Sequence, residues 1–400
     1  MTAIIPALRN NARRAGTIAQ IGRHILWERM VRPRPTRLPQ VPASTEAFTP
    51  QWLTAVLCRE HPGAKVTAIR LGAASSGSSD RCAFSVTYNE AGRQAQLPER
   101  LFNKCSKGFY TRLLMRQCGT LENEVGFYAR VRPELDIEVP RVYHAALDRR
   151  SLRSSIILED ITATRGARFF DPAEPTRRAH IEGMLDLLAA VHGRYWASPR
   201  LTNEFRWLRT PEEWIRVVGP AIAYEARSAV GMERAAAVIP ASLRGRDREI
   251  YRAFLAAMSV SSRGPLTYLH GDPHIRNYYR TDADRVGLVD WQVTFRGGWG
   301  HDFAYTLLSS LAVDDRRRWE RELLAFYLER LRAWGAGSAP SFGEAWELYR
   351  RQTLYTFVGW LYTIGYGPLQ PNMQPDTICM AVIERSAAAV EDLDSLQLLK

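Results

Sequence analysis

The segment Leu269-His270-Gly271-Asp272-Pro273-His274-Ile275-Arg276-Asn277 puts an aspartate and an asparagine on one short loop. That pairing suits phosphoryl transfer, in which a carboxylate takes the proton of an attacking hydroxyl while a nearby amide oxygen helps hold Mg²⁺ against the phosphates. Asp272 fits the first role and Asn277 the second. Downstream, Asn277-Tyr-Tyr-Arg, the polar turn Thr281-Asp-Ala-Asp-Arg and Val286-Gly-Leu-Val-Asp290 read as a strand, a turn and a returning strand, which brings Asp290 back beside Asn277. Two oxygen ligands from neighbouring segments, completed by waters and phosphate oxygens, suit Mg²⁺. The competing reading makes Asp272 a turn carboxylate and His270 a core histidine.

These residues need a scaffold. Between Val66 and Lys104 apolar residues alternate in Val66-Thr-Ala-Ile-Arg-Leu, Ala83-Phe-Ser-Val-Thr-Tyr and Arg100-Leu-Phe-Asn-Lys, with polar or Gly- and Ser-rich turns between them. This predicts three antiparallel strands. Thr49-Pro50 ahead of Trp52, Leu53, Val56 and Leu57 predicts a capped helix where a domain starts. A helix carrying Leu121, Val125, Phe127 and Tyr128 follows, then strands near Val139 to Ala145 and from Ser155 to Ile161. Beyond Ile161, helical apolar spacing covers Arg178 to Trp196, Pro211 to Val230, Arg246 to Val260, Arg316 to Trp334 and Glu344 to Tyr366. The expected class is α+β, with an arm at 1–45, a small antiparallel-sheet lobe at 46–160 and a larger, mainly helical lobe at 161–400.

His270-Gly-Asp-Pro-His-Ile-Arg-Asn277 followed by Asp290-Trp291-Gln292 resembles the family of aminoglycoside phosphotransferases, choline kinases and their relatives. Within it the chain is most similar to the ecdysteroid-kinase-like group, on Thr49-Pro-Gln-Trp-Leu, Glu124-Val-Gly-Phe-Tyr, Leu158-Glu-Asp-Ile, the Asp-Trp-Gln variant and Gly300-His-Asp-Phe-Ala-Tyr305. The resemblance implies a bilobal, protein-kinase-like fold, ATP as phosphate donor, Mg²⁺ as cofactor and a small-molecule hydroxyl as acceptor. It also implies that Lys104 meets the nucleotide phosphates and is held by Glu124, with Glu122 as rival partner and an exposed, solvated lysine as the plain alternative. Glu159, Asp160 and Ile161 would form the hinge and adenine edge through their backbone, while His270 and Asp302 would support the catalytic loop. Gly72, Ser75 and Gly77 lie in a Gly- and Ser-rich stretch that reads either as a phosphate-covering loop or as a simple hairpin. It lacks the G-K-[ST] of a P-loop.

Only eleven residues separate Asp290 from Asp302, and no A-P-E follows, so a peptide-binding platform is not expected. The stretch Tyr349 to Pro371 is aromatic and has no acid, unlike the carboxylate lining expected for a polycationic aminoglycoside. If Trp299, Tyr355, Trp360 and Tyr366 line the acceptor site, they suit an apolar hydroxylated molecule. Ordinary core packing is the other reading. A nucleotide-binding pseudokinase scaffold and an aminoglycoside-type kinase are the alternative functions, and the intact set Lys104, Glu124, Asp272, Asn277 and Asp290 favours an active enzyme.

Apolar residues make up 46% of the 400, enough for a large core, yet no run is long enough to span a membrane. The five scattered cysteines predict a reduced, cytoplasmic protein. Of the net charge of +12, residues 1–38 hold +7, from eight arginines against Glu28 alone, so nucleic-acid binding by the body is not expected. In this arm Ile4, Leu8, Ala12, Ala15, Ile18 and Ile25 predict a basic amphipathic helix, stopped by the proline-rich stretch from Arg32 to Pro42. The helix is expected to pack on its own protein, to make peripheral membrane contact through residues 1–30, or to act as a transit peptide.

Overall fold

The structure is a computed structural model that describes residues 4–76, 79–367 and 372–399, with side chains from Ala15 onward except that of Ser76. The chain divides into two compact units, one comprising residues up to Glu134 with Pro140–Thr164, the other Leu135–Val139 with the chain from Arg165.

The first unit is built on a five-stranded antiparallel sheet of β1 (Val66–Ser76), β2 (Asp80–Tyr88), β3 (Arg100–Cys105), β4 (Val142–Asp148) and β5 (Arg153–Glu159), in the order β1-β2-β3-β5-β4. In β2 every second side chain from Cys82 onward is buried, as the alternating sequence requires. The helix Pro50–Leu57 covers one face. The Thr49 hydroxyl caps it by accepting from the Trp52 N–H at 3.1 Å, and Trp52, Leu53 and Val56 join Phe84, Val86, Leu101 and Ile157 in the core.

Two predicted elements differ. The strand beginning at Val66 runs on past Leu71 through Gly72–Ser76, because pairing with β2 continues across a bulge to Ser76 opposite Asp80, which is the hairpin reading of that stretch. The helix expected around Leu121 is split into Phe109–Cys118, the short turn Asn123–Gly126 and a π-helical turn Phe127–Val131. Gly119 takes φ +68 after the first of these and ends it.

The second unit is mainly helical. Its long helices are Arg178–Arg194, Asp247–Val260, Gly300–Ser310, Val313–Ala333, Phe342–Ile364 and Asp376–Asp392. The expected Pro211 to Val230 helix is two, Pro211–Val218 and Tyr224–Arg234, because Pro220 lacks a backbone N–H and Ala223 turns to φ +53. Short strands frame the loop of interest. Strand β7 (Thr267–Leu269) precedes it and pairs antiparallel with β10 (Phe295–Gly297); β8 (Tyr278–Arg280) follows and pairs with β9 (Val286–Leu288) and β6 (Arg168–Phe169). At the β8–β9 crossing Gly287 faces Tyr279, where a Cβ would come within 2.2 Å of the ring.

Candidate active site

In the first unit, Lys104 near the end of β3 sends Nζ to Glu124 Oε1 at 2.6 Å, and both side chains are buried. Glu122 goes instead to Arg149, 3.1 Å away at the surface. The buried pair is therefore Lys104–Glu124, an ammonium fixed in direction by a carboxylate from the neighbouring helical turn. Gly72 sits in the β1 bulge, where a Cβ would lie 2.8 Å from the Ala83 carbonyl, so close strand approach accounts for it. Ser75 pairs with Arg81 in the same ladder. Gly77 lies outside the described residues. Where β5 gives way to the helix Ile161–Arg165, Asp160 N donates to the Arg100 carbonyl at 3.2 Å and its side chain accepts from Ala163 N at 3.3 Å. Glu159 accepts from the Thr164 hydroxyl at 2.6 Å, and Ile161 is buried. Both acidic side chains are thus used in local capping.

In the second unit, residues 270–277 connect β7 to β8. Gly271 adopts φ +80, and any Cβ there would meet the Val293 carbonyl at 2.0 Å, so the tight turn that presents Asp272 admits only glycine. His270 donates from Nε2 to the Val289 carbonyl at 2.9 Å and accepts from Asp272 N at 3.3 Å, tying the loop to the strand that leads into Asp290.

The helix Gly300–Ser310 holds the loop from below with a polar stripe at positions i, i+4 and i+7. Asp302 accepts from His270 N at 2.7 Å and Gly271 N at 2.9 Å; Thr306 donates to the Pro273 carbonyl at 3.2 Å; Ser309 accepts from Ile275 N at 3.1 Å. Asp302 is itself fixed by His192 Nε2 at 3.2 Å, whose Nδ1 accepts from the Tyr327 hydroxyl at 2.7 Å. Burial, the largest single influence, would raise the Asp302 pKa, but the His192 hydrogen bond together with the charges of His192, His301 and His270 outweighs it and holds the carboxyl below the usual range. His192, Thr306, Ser309 and Tyr327 were not legible as site residues. Only the polar stripe in an otherwise apolar segment signals two of them.

Asn277 donates from Nδ2 to the Asp272 carbonyl at 2.9 Å, which turns its amide oxygen away from the loop. Its own carbonyl accepts from Val289 N at 2.9 Å, so the backbone leading into Asp290 runs beside Asn277. Asp290 takes the left-handed conformation (φ +68, ψ +59), which aspartate tolerates better than most residues. No group of three or more His, Cys, Asp or Glu that could hold a metal occurs among the described residues. Two oxygen donors of the Asn277 and Asp290 type still fit Mg²⁺, which keeps waters and phosphate oxygens for its other positions.

Asp272 keeps 32% of its side-chain surface exposed, yet the surrounding protein crowds it closely. Burial pushes its pKa up to about 8; a Tyr305 hydrogen bond works against the rise, and the negative charges of Asp290 and Asp302 add to it. His274 Nε2 lies 3.8 Å from Asp272, and burial lowers that imidazole to about 3, so it stands beside the carboxyl as a neutral ring.

A model of the phosphotransferase enzyme family, APH, matches residues 116–340, more than half of the chain. The chain belongs to this phosphotransferase family. Comparison with curated proteins finds no match. Among solved structures, macrolide 2'-phosphotransferase type I is 15% identical over 77% of this chain and 88% of its own, with a TM-score of 0.41. Choline kinase LicA from Streptococcus pneumoniae is 14% identical over 82% and 94%, with a TM-score of 0.43. Aminoglycoside-3'-phosphotransferase of type VIII is 18% identical over 74% and 95%, at 0.40.

The four aromatic residues considered for an acceptor site make packing and loop contacts, the other reading that the sequence left open. Trp299 is core, stacked on Tyr327 with centroids 5.0 Å apart. Tyr355 is buried and donates to the Gly271 carbonyl at 3.2 Å, bracing the loop. Trp360 packs edge-on to His274 at 5.6 Å, and Tyr366 lies under the Arg234 guanidinium at 4.8 Å. None of the four lines the large cavity of this unit. That cavity, about 830 Å³, opens where Gly219-Pro220 breaks the helix, and is walled by Ile215, Tyr224, Met232, Tyr251, Leu255 and Val358, with Arg216, Glu225, Glu233, Asp247 and Arg248 also lining it. Tyr224 stacks on Tyr362 and Phe254 at 4.3 and 5.4 Å. Burial raises its pKa well above the usual value, and the charges of Tyr362, Tyr251 and Asp272 add to the rise.

Proposed function

We propose that this phosphotransferase transfers the γ-phosphate of ATP to a hydroxyl of a small, largely apolar molecule, with Asp272 as general base. The observation that carries this is the loop around Asp272. A carboxyl with a raised pKa stands on a turn that only glycine permits, and one face of the helix Gly300–Ser310 holds that turn at three points. Asn277 and Asp290 would hold Mg²⁺, which when bound supplies positive charge to the transferring phosphate. The Lys104–Glu124 pair supports a nucleotide-phosphate contact in the first unit. The ecdysteroid-kinase-like likeness of Asp290-Trp291-Gln292 and Gly300 to Tyr305 favours that branch of the family. The five cysteines are scattered along the sequence with no C-x-x-C pair, which fits a reducing compartment such as the cytoplasm.

The cavity near Tyr224 is the acceptor site of this proposal, since its volume falls in the range of small-ligand pockets and its walls are mostly aliphatic and aromatic. Its mixed charged groups, three acids against two arginines, make it a poor fit to a polycation. The test is ATP consumption screened across hydroxylated lipids, sterols, polyketides and aminoglycosides. Once an acceptor is found, Ala229→Phe, which adds bulk to the cavity lining, is expected to raise its KM about tenfold or more with nucleotide affinity unchanged. An unchanged KM removes the cavity from the reaction. Asp290→Ala is expected to abolish Mg²⁺-dependent nucleotide binding and turnover together, as read by calorimetry with and without the metal. Full activity in that variant would rule out Asp290 as ligand.

A further inference from the structure

The helix Ile4–Val31 has a docked face and an outward face. Ile21, Ile25 and Glu28, at i, i+4 and i+7, turn inward: Ile21 is fully buried with Met115, Leu121 and Leu152, Ile25 packs against them, and Glu28 takes both Arg112 guanidinium nitrogens at 2.9 and 2.7 Å. At 100° per residue, Leu26 and Met30 lie on the opposite side, and they are 58% and 68% exposed. Trp27 and Val31 beside them are 42% and 54% exposed. Arg23 is exposed on this outward half and Arg29 on the flank beside the docked face, and Arg32, Arg34 and Arg37 follow. Glu28 is the only acid before Glu46, and Arg112 already neutralises it, so the outward face carries positive charge alone.

From this juxtaposition we infer that residues 18–37 dock the protein on an anionic lipid surface, with Leu26, Trp27 and Met30 entering the interface and the arginines meeting lipid phosphates and carboxylates. The inward face is already spent on the protein's own core, and among the described residues the exposed apolar side chains of the outward face are not part of that core. A nucleic-acid partner would use the arginines but leave Leu26 and Met30 in water. A second copy of the same face would set arginine against arginine, since a twofold contact pairs a surface with itself. A lipid surface takes both features, because interfacial helices bury an apolar strip while long basic side chains reach the headgroups.

The full chain is sedimented with phosphatidylcholine vesicles with and without phosphatidylserine, at low and high salt. Wild type is expected to bind the anionic vesicles, to bind the neutral ones far more weakly, and to be released by salt. Leu26→Ser/Met30→Ser and Arg23→Glu/Arg29→Glu change only exposed positions, so melting temperature should stay put while partitioning falls about tenfold or more in each. The inference is overturned if wild type ignores anionic vesicles, or if neither folded variant loses binding. It is equally overturned by size-exclusion evidence of an oligomer that Leu26→Ser/Met30→Ser dissolves, or by oligonucleotide binding that depends on the arginines but not on Leu26 and Met30. The neutral-versus-anionic and salt comparisons use wild type alone, and so decide the matter even if a variant misfolds.

Discussion

Asp272→Asn is expected to lower kcat by about 10²- to 10⁴-fold, the contribution of a positioned general base, while leaving nucleotide affinity nearly unchanged. The substitution keeps size and most hydrogen bonding, and the turn that presents residue 272 depends on Gly271 rather than on the carboxylate. A variant within about threefold of wild type would show that no base acts there. The raised pKa gives a second, independent readout in the nucleotide-free protein. A carboxyl whose folded pKa of about 8 exceeds its unfolded value near 3.9 binds its proton more tightly when folded. Its contribution to stability is therefore fully present below the unfolded value and is lost as pH rises through about 8. Asparagine does not titrate, so the melting temperature of Asp272→Asn relative to wild type should climb between pH 5 and pH 9. A difference that stays flat over that interval contradicts the crowded, charge-flanked site.

What the sequence made legible was local. The Thr49 cap needs only the next three residues, and the loop from His270 to Asn277 carries its chemistry in adjacent positions. The Lys104–Glu124 contact was implied by the family resemblance, and packing decided against Glu122, which goes to Arg149. What failed was long-range or contextual. The stretch Gly72–Ser76 has poor strand propensity, but the neighbouring β2 ladder imposes extended pairing on it. The helix Gly300–Ser310 is buried on every side, so its polar stripe of Asp302, Thr306 and Ser309 faces no solvent, and only the loop packed on it shows what the stripe does. His192 and Tyr327 reach Asp302 from helices far away in sequence, and nothing near them announces it. The aromatic residues around Trp360 were ambiguous for a physical reason: bulky rings serve a core and a ligand pocket equally well, and in the fold Trp299, Tyr355 and Trp360 are buried.

Asp302→Ala should cost about 3–5 kcal/mol of stability and also impair turnover, because its carboxylate is the one acceptor for three buried donors. Oδ2 takes His270 N and His192, and Oδ1 takes Gly271 N, with the residue fully buried. Removing it takes the acceptor from two backbone N–H groups and from the His192 Nε2–H in a region water does not reach. Asp302→Asn is milder and more informative: one amide oxygen remains to accept, but the –NH₂ now faces a donor, so about 1–3 kcal/mol is expected. The depressed pKa sets the sign of the pH dependence. The stabilisation is present above the unfolded value near 3.9 and is lost as pH falls through the lower folded value, so both losses should appear in full at neutral pH. Where Asp302→Asn still folds, the loop loses one of its anchors, and a shift of about 1 Å at Asp272 is enough for a roughly 10²-fold loss of kcat with nucleotide binding retained. Denaturant unfolding gives the stability change and steady-state kinetics the rate. Because the loop is held through His192 as well, His192→Gln and Asp302→Asn should be non-additive, with a coupling of about 0.5–3 kcal/mol in a double-mutant cycle. Additive losses, or an Asp302→Ala protein as stable as wild type, would mean that Thr306, Ser309 and Tyr355 suffice to hold the loop and that the buried aspartate is not its anchor.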